Sequence, residues 1–354
     1  MTTVIIVFSV IGAIDWLIGN KFGIGREFER AYELFCPMAL SMIGMLVIAP
    51  AVGEWLSSFF DFFYNTFGID PSVIPASLLA NDMGGMTLAE AICKSEEIGK
   101  YNAYVVSSML GCMISFTLPF SLGIVNKSQH NELFLGFLCG IITIPFGCFV
   151  AGLVCKIPIF TLLLNLLPLI IIGALLGIAL VFFRAACIKC FAVLGIIVRA
   201  VALFGLVCSI FTFLTKIEIS PNFDSFENAA FVCANACVTL SGALPLMFIV
   251  DKLLHKPLNA FGSKIGINGI SALAFLGSLV TNSSTFGVMD RMDKRGTVLN
   301  SAFAVSASFV FGSHLAFTMA FDTDCVLPMI IGKIISGIFA VGLALLVYKD
   351  TKAA

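Results

Sequence analysis

The chain has 354 residues, of which 59% are hydrophobic and 12% charged, with a formal net charge of -1 and a mean hydropathy of +1.06. A soluble domain carries roughly a quarter of its residues as charges, so an ordinary soluble enzyme is excluded. No basic or acidic tract is present, which excludes a nucleic-acid binder and a polybasic lipid anchor.

Apolar runs of about 18 to 25 residues recur along the chain without two-residue alternation, and each is long enough to cross a hydrocarbon core of about 30 Å as a helix. The first, Thr2 to Gly19, lacks a basic leader and contains Asp15 and Trp16, so it is read as a retained span and not a cleaved signal. A charged loop and a second span, Leu34 to Val52, follow. The aromatic-rich stretch Glu54 to Phe67 then suits a helix lying in the membrane interface.

The next stretch, Asp70 to Ile92, is long enough to enter the bilayer yet carries Asn81-Asp82 and Gly84-Gly85 at its centre. An acid at mid-membrane costs about 2.5 to 3.5 kcal/mol on insertion scales and faces a partner or a water-filled cavity. A Gly pair there invites a backbone break, which lipid does not tolerate unless the freed groups are buried in protein or line a site. This stretch is the expected binding element.

Further spans run from Tyr101 to Val125, Leu133 to Val154, Ile159 to Phe183, Phe191 to Leu214 with a lone Arg199, and Asn228 to Val250. A basic loop with Lys252, Lys256 and Lys264 leads into Ile267 to Met289, which carries the small polar run Val280 to Gly287. The charged loop Asp290 to Gly296 and the spans Val298 to Phe321 and Leu327 to Tyr348 complete the chain. The expected fold is an all-α integral membrane protein, a polytopic bundle of about 10–11 transmembrane segments.

Two structural repeats are expected, 34–154 and 228–348, with broken or re-entrant segments lining a midplane site. Asn81-Asp82 falls opposite Asn282-Ser283, and Gly140 opposite Gly332, with the order of four successive segments kept. Simple alternation with the amino terminus outside leaves Lys252, Lys256 and Lys264 outside, against the positive-inside rule, whereas a re-entrant Ile267 to Met289 places both basic loops inside. Parallel and inverted arrangements both remain open at this level.

The substrate-binding candidates are Asn81, Asp82, Gly84, Gly85, Asn282, Ser283, Ser284, Phe286 and His314. Asp82 is the acid central to these two segments, so it favours a cation over an anion. Phe286 adds an aromatic face, and the amides and hydroxyls suit a hydroxyl on the same solute, so a small hydroxylated amine fits, while a proton or Na⁺ at Asp82 satisfies the same charge argument. His314 is a group that can relay a proton, and Thr285 belongs to the same polar run. No catalytic residue, metal site or cofactor motif is expected: nucleophile, Walker and H-E-x-x-H signatures are absent, and the twelve cysteines are scattered, the closest grouping, Cys187-Ile188-Lys189-Cys190, having no histidine near it in the sequence.

Several segments together resemble the ethanolamine utilisation membrane protein family EutH: Phe28 to Pro50, Asp70 to Ile92 with D-M-G-G, Gly140 to Leu153, Met292 to Phe317 with M-D-K-R-G-T-V-L-N-S-A-F-A-V-S-A, and Pro328 to Leu346. The resemblance covers most of the chain and carries over Asp82, Asn282, Gly287 and His314 position by position. It departs at Asn81, where the family shows Cys, at Ser283 and Thr285, where it shows Asn and Pro, and at Ser313, where it shows Asp. It implies a multi-pass permease of the bacterial cytoplasmic membrane that takes up ethanolamine as the ammonium cation, with no enzyme activity, no nucleic-acid partner, and self-association left open. A non-concentrating facilitator for small amines, or a membrane sensor or scaffold, is the alternative.

Overall fold

A computed structural model of the chain describes residues 2–55 and 57–348, and these form helices throughout. Asp15, near the end of α1 (Thr2–Leu17), folds the chain back into α2 (Ile24–Glu33): its carboxylate accepts the amides of Phe22, Ile24 and Gly25 at 3.0, 2.8 and 2.8 Å. α3 (Phe35–Trp55) follows almost directly. α4 (Ser57–Phe67) is a separate short helix that exposes Phe59, Phe62 and Phe67, as an interfacial helix does.

The central stretch is two short helices, α5 (Val73–Leu78) and α6 (Gly85–Ile92), separated by extended Leu79 and Ala80 and a single 3-10 turn at Asn81–Met83. The glycine pair makes this turn possible. Gly84 has φ +93°, where an L side chain is strained, and a Cβ on Gly85 would lie 2.1 Å from the Leu79 carbonyl oxygen. Asp70 ties the two ends of the stretch together. Its carboxylate accepts from the Ser72 amide and hydroxyl at 3.0 and 2.6 Å and from the Lys94 and Ser95 amides at 2.9 Å each.

α7 (Glu96–Tyr101) continues into wide π-helical turns at Asn102–Gly111 and Met113–Thr117, and then into α8 (Leu118–Ile124). Turns of this kind are rare and collect at functional positions. Four long helices come next: α9 (His130–Val154), α10 (Ile159–Phe182), α11 (Arg184–Thr215) and α12 (Phe226–Ile265). Where α3 and α11 cross, Gly44 and Gly205 bring the backbones into contact; a Cβ on Gly205 would lie 2.2 Å from the Gly44 carbonyl oxygen. Small residues serve membrane helices in this way because close backbone approach replaces a missing hydrophobic drive.

α13 (Gly269–Val280) and α14 (Asn282–Phe286) are separated by extended Thr281. Asn268, before α13, donates its amide to Asp293 at 2.9 Å and its side-chain nitrogen to the Arg291 carbonyl at 3.0 Å, so this stretch too begins and ends in one place. A third interruption parts α15 (Lys294–Ala307) from α16 (Ser313–Phe321): Ser308 is extended and Phe309 has φ +62°. The second and third breaks satisfy each other. The amides of Phe309 and Phe311 donate to the Ser278 and Leu279 carbonyls at 3.0 and 2.8 Å, groups that the end of α13 would otherwise leave bare. α17 (Val326–Val347) packs beside α9 and α15.

Among the described residues, seven helices are long and apolar enough to cross a membrane. Four of the apolar segments counted from sequence fall outside that set for physical reasons: α1 is 16 residues long, and the segments at Asp70 to Ile92, Ile267 to Met289 and Val298 to Phe321 are interrupted. The stretch carrying Lys252 and Lys264 is a helical continuation of α12 and not a loop; the side chain of Lys256 lies outside the described residues. Arg199 is exposed and bonds the Gly195 carbonyl of its own helix at 3.2 Å.

Replacing Gly85 by Ala is expected to destabilise the protein by about 1–3 kcal/mol, as overpacking against backbone does. Gly123→Ala, where a Cβ meets open space, is expected to leave it unchanged. Thermal unfolding of the two variants in one detergent checks this.

Candidate functional site

The three interruptions bring the sequence candidates together unevenly. Asp82, in the first break, points its Oδ1 at His314 Nε2, 3.9 Å away at the start of α16, and keeps 23% of its side chain accessible. The Ser313 side chain is also placed to hydrogen-bond this carboxylate. His314 itself is 1% exposed. Behind it lies a residue that sequence reasoning did not single out: Lys333 of α17, 1% exposed, donates to His314 Nδ1 at 3.2 Å and to the Ser108 carbonyl in the π-helical stretch.

The order of these groups fixes their chemistry. An ammonium is a donor only, so Nδ1 must accept from Lys333, and the imidazole proton then lies on Nε2, facing Asp82. A base and an acid are thus joined through one ring. The separation of 3.9 Å is too long for a direct hydrogen bond, which leaves the carboxylate available to a ligand. Phe309 covers the ring at a centroid distance of 5.0 Å and meets Phe116 edge-on at 5.4 Å.

Two buried amides at the breaks have one end unpaired. Asn81 accepts the Asp82 amide at 2.9 Å with its oxygen, but its Nδ2 has no partner. Asn282 donates Nδ2 to Thr117 Oγ1 at 2.9 Å, but its Oδ1 has no partner. One open donor and one open acceptor in buried positions each cost about 1–3 kcal/mol if left unmet, and a ligand hydroxyl supplies both complements.

Ser283 and Ser284 are exposed and line cavities. A cavity of about 220 Å³ is bounded by Thr281, Ser283, Phe309, Gly312 and Ser313, and it shares Arg30, Leu244 and Val280 with a second of about 360 Å³ that Ser284 lines. Phe286 lies apart from this constellation. It is 2% exposed and packs edge-on against Phe137 of α9 at 6.2 Å. Thr285 is bonded to Ser278 and to the Ala274 carbonyl at 2.7 and 2.8 Å, which braces α14 against α13. Gly84 and Gly85 shape the first break and offer no side chain.

Lys333 carried a signal in the sequence: it is the lone charge in the last apolar run, PMIIGKIISG, and an ionisable residue at membrane depth is functional by default. Phe309 carried none, because one Phe among 35 is not distinguishable by type.

Interrupted helices meeting at a partly accessible acid backed by a buried histidine and lysine define a multi-pass membrane protein with a polar centre, the build of secondary transporters. The description "Ethanolamine utilisation protein, EutH" matches residues 1–347, and the chain belongs to that family. It is 37% identical over 340 residues to the "Probable ethanolamine permease EutH" of Listeria monocytogenes, covering 96% of this chain and 91% of the relative. It is 32% identical over 385 residues to the protein of the same name from Salmonella typhimurium, covering 98% and 94%. A third relative, the "Uncharacterized protein YxeR" of Bacillus subtilis, is 33% identical over 337 residues, covering 95% and 91%. No solved structure matches the chain. The family is one of permeases, so the chain is a transporter and not an enzyme.

Thr117→Val leaves Asn282 without a partner at either end of its buried amide. The variant is expected to lose about 1–3 kcal/mol of stability, read as a lower thermal midpoint than the parent.

Proposed function

We propose that the chain moves ethanolamine across the membrane as the ammonium cation, at a site formed where the first and third breaks meet. The observation that carries this reading is Asp82: a partly accessible carboxylate at a helix break, backed by His314 and lying beside open amide groups. The ammonium takes Asp82, while Asn81 Nδ2 and Asn282 Oδ1 supply the donor and acceptor that the hydroxyl needs. Ser283 and Ser284 line the aqueous approach. The names of the Listeria and Salmonella relatives support the choice of substrate.

We infer also that the stretches 70–95 and 268–293 are re-entrant hairpins belonging to two repeats, 34–154 and 228–348. The Asp70 bonds to Lys94 and Ser95, and the Asn268 bonds to Asp293 and Arg291, support a return of each stretch to the face it entered from. Corresponding details recur. Gly111 approaches the Leu79 carbonyl in the first half as Gly312 approaches that of Val280 in the second, each to 2.1 Å from an added Cβ. Asn126 caps the turn before α9 as Asp322 caps the turn before α17.

Five membrane-crossing helices lie between the hairpins, and an odd number makes the hairpins enter from opposite faces, so the repeats are inverted. One face then carries Lys94, Lys100, Lys156 and Lys216, and the remaining Lys and Arg of the described loops and helix ends fall on the other. By the positive-inside rule the second face is cytoplasmic.

Asp82→Asn is expected to abolish saturable ethanolamine uptake into proteoliposomes at acidic pH while inserting as well as the parent. Undiminished uptake by that variant would remove the proposed charge pairing. Alkaline phosphatase fused after residue 216 is expected to be active in cells, and fused after residue 127 inactive; the reverse pattern would overturn the assigned orientation.

A further inference from the structure

The permease reading assigns a place to the substrate's charge and none to that of Lys333. The groups that face the Lys333 ammonium come from four elements: Asp82 from the first break, Cys112 from the π-helical stretch, Cys148 from α9 and His314 from α16. Asp82 is the carboxylate of this set. The walls are dry: Cys112, Cys148, His314 and Lys333 are each 1% exposed or less. A site of this kind holds one positive charge comfortably and a second only at the expense of an unneutralised cation in a low-dielectric interior.

We propose that Lys333 and the ammonium of the substrate are alternative partners of Asp82, so that each ammonium bound expels one proton from Lys333 through His314. The proposal rests on the reading of Asp82 as the ammonium site. The step balances without any change of oxidation state. The N–H bond at Lys333 Nζ breaks as one forms at His314 Nδ1; the N–H bond at His314 Nε2 breaks, and its proton passes to water at the accessible side of Asp82 and on to the solution buffer. Lys333 is left as a neutral amine, and the imidazole is neutral before and after. When the substrate leaves, the same path runs backwards. A lysine can do this and an arginine cannot, because an ammonium releases its proton where a guanidinium does not. The cycle exchanges one ammonium for one proton and moves no net charge.

The rival account makes Lys333 a staple that donates to the Ser108 carbonyl and holds the π-helical turns, with no part in the proton inventory. Calorimetry on the full-length protein in detergent separates the two accounts. Ethanolamine is titrated near neutral pH, where it is protonated, in buffers of different ionisation enthalpy, so that protons released on binding are counted. The parent is expected to release one proton per ethanolamine bound and to bind about tenfold more weakly for each unit of falling pH across the exchange window.

Lys333→Met is expected to bind ethanolamine with no proton release and no such slope; Lys333→Arg, which keeps the charge and its hydrogen bonds if the methionine variant does not fold, is expected to release none and to bind at least about tenfold more weakly than the parent, because its charge cannot be expelled. Binding to the parent without proton release overturns the proposal and leaves the permease reading standing, as does proton release by the arginine variant equal to that of the parent. Absence of ethanolamine binding to the parent removes the substrate reading itself, and the proposal with it.

Discussion

Lipid offers nothing to a bare amide or carbonyl, so a helix that stops inside the membrane must hand its freed groups to another part of the protein. That constraint organises this chain. The end of α13 passes the Ser278 and Leu279 carbonyls to the amides of Phe309 and Phe311 in the neighbouring break. The first break turns on Gly84 and Gly85, with the Ala80 amide donating to Ser115 Oγ at 2.9 Å. The first two interruptions therefore each depend on residues about 30 positions further along the chain. The second and third breaks support each other, and the first and third bring Asp82 and His314 to within 3.9 Å.

Polarity at the centre of the bundle is arranged in the same economical way. Asp70 and Asp15 are buried acids too, each 2% exposed, but both are spent on backbone amides and hold turns. Asp82 differs in that its carboxylate faces a histidine and a cavity wall instead of a row of amides. The distinction between an acid that builds the fold and one that is free to meet a solute lies in this accounting of donors.

Much of this was legible in the sequence. The polar interruptions at Asp70 to Ile92 and Val280 to Gly287 stand out because lipid penalises them, and the structure breaks its helices at both. His314 was legible as a rare titratable group in an apolar run. What could not be read is which groups meet. Lys333 follows His314 by 19 positions on the next helix, and their pairing depends on how α16 and α17 lie together, which residue type does not encode. Phe286 and Phe309 are equivalent in composition; the first faces Phe137 and the second covers His314, and only the sharp backbone at Phe309 makes the difference. Seven of the apolar segments are unbroken helices long enough to cross a membrane and the others are short or interrupted; the sequence does not separate these, since an apolar run reads the same whether its helix is continuous or broken.

The glycine contact between α3 and α11 has a mechanical consequence. At that crossing the two backbones touch directly, so a shift of one helix is passed to the other. α3 is also the helix whose Met45 packs on Gly84 at the first break. The outer side of α11 presents Ile196, Ile197, Leu203, Phe204 and Val207 to the surrounding lipid. Any displacement that reshapes the first break therefore drags a broad greasy face through the acyl chains, and membrane thickness becomes part of the energetics of the cycle, at fractions of a kcal/mol per Å of mismatch.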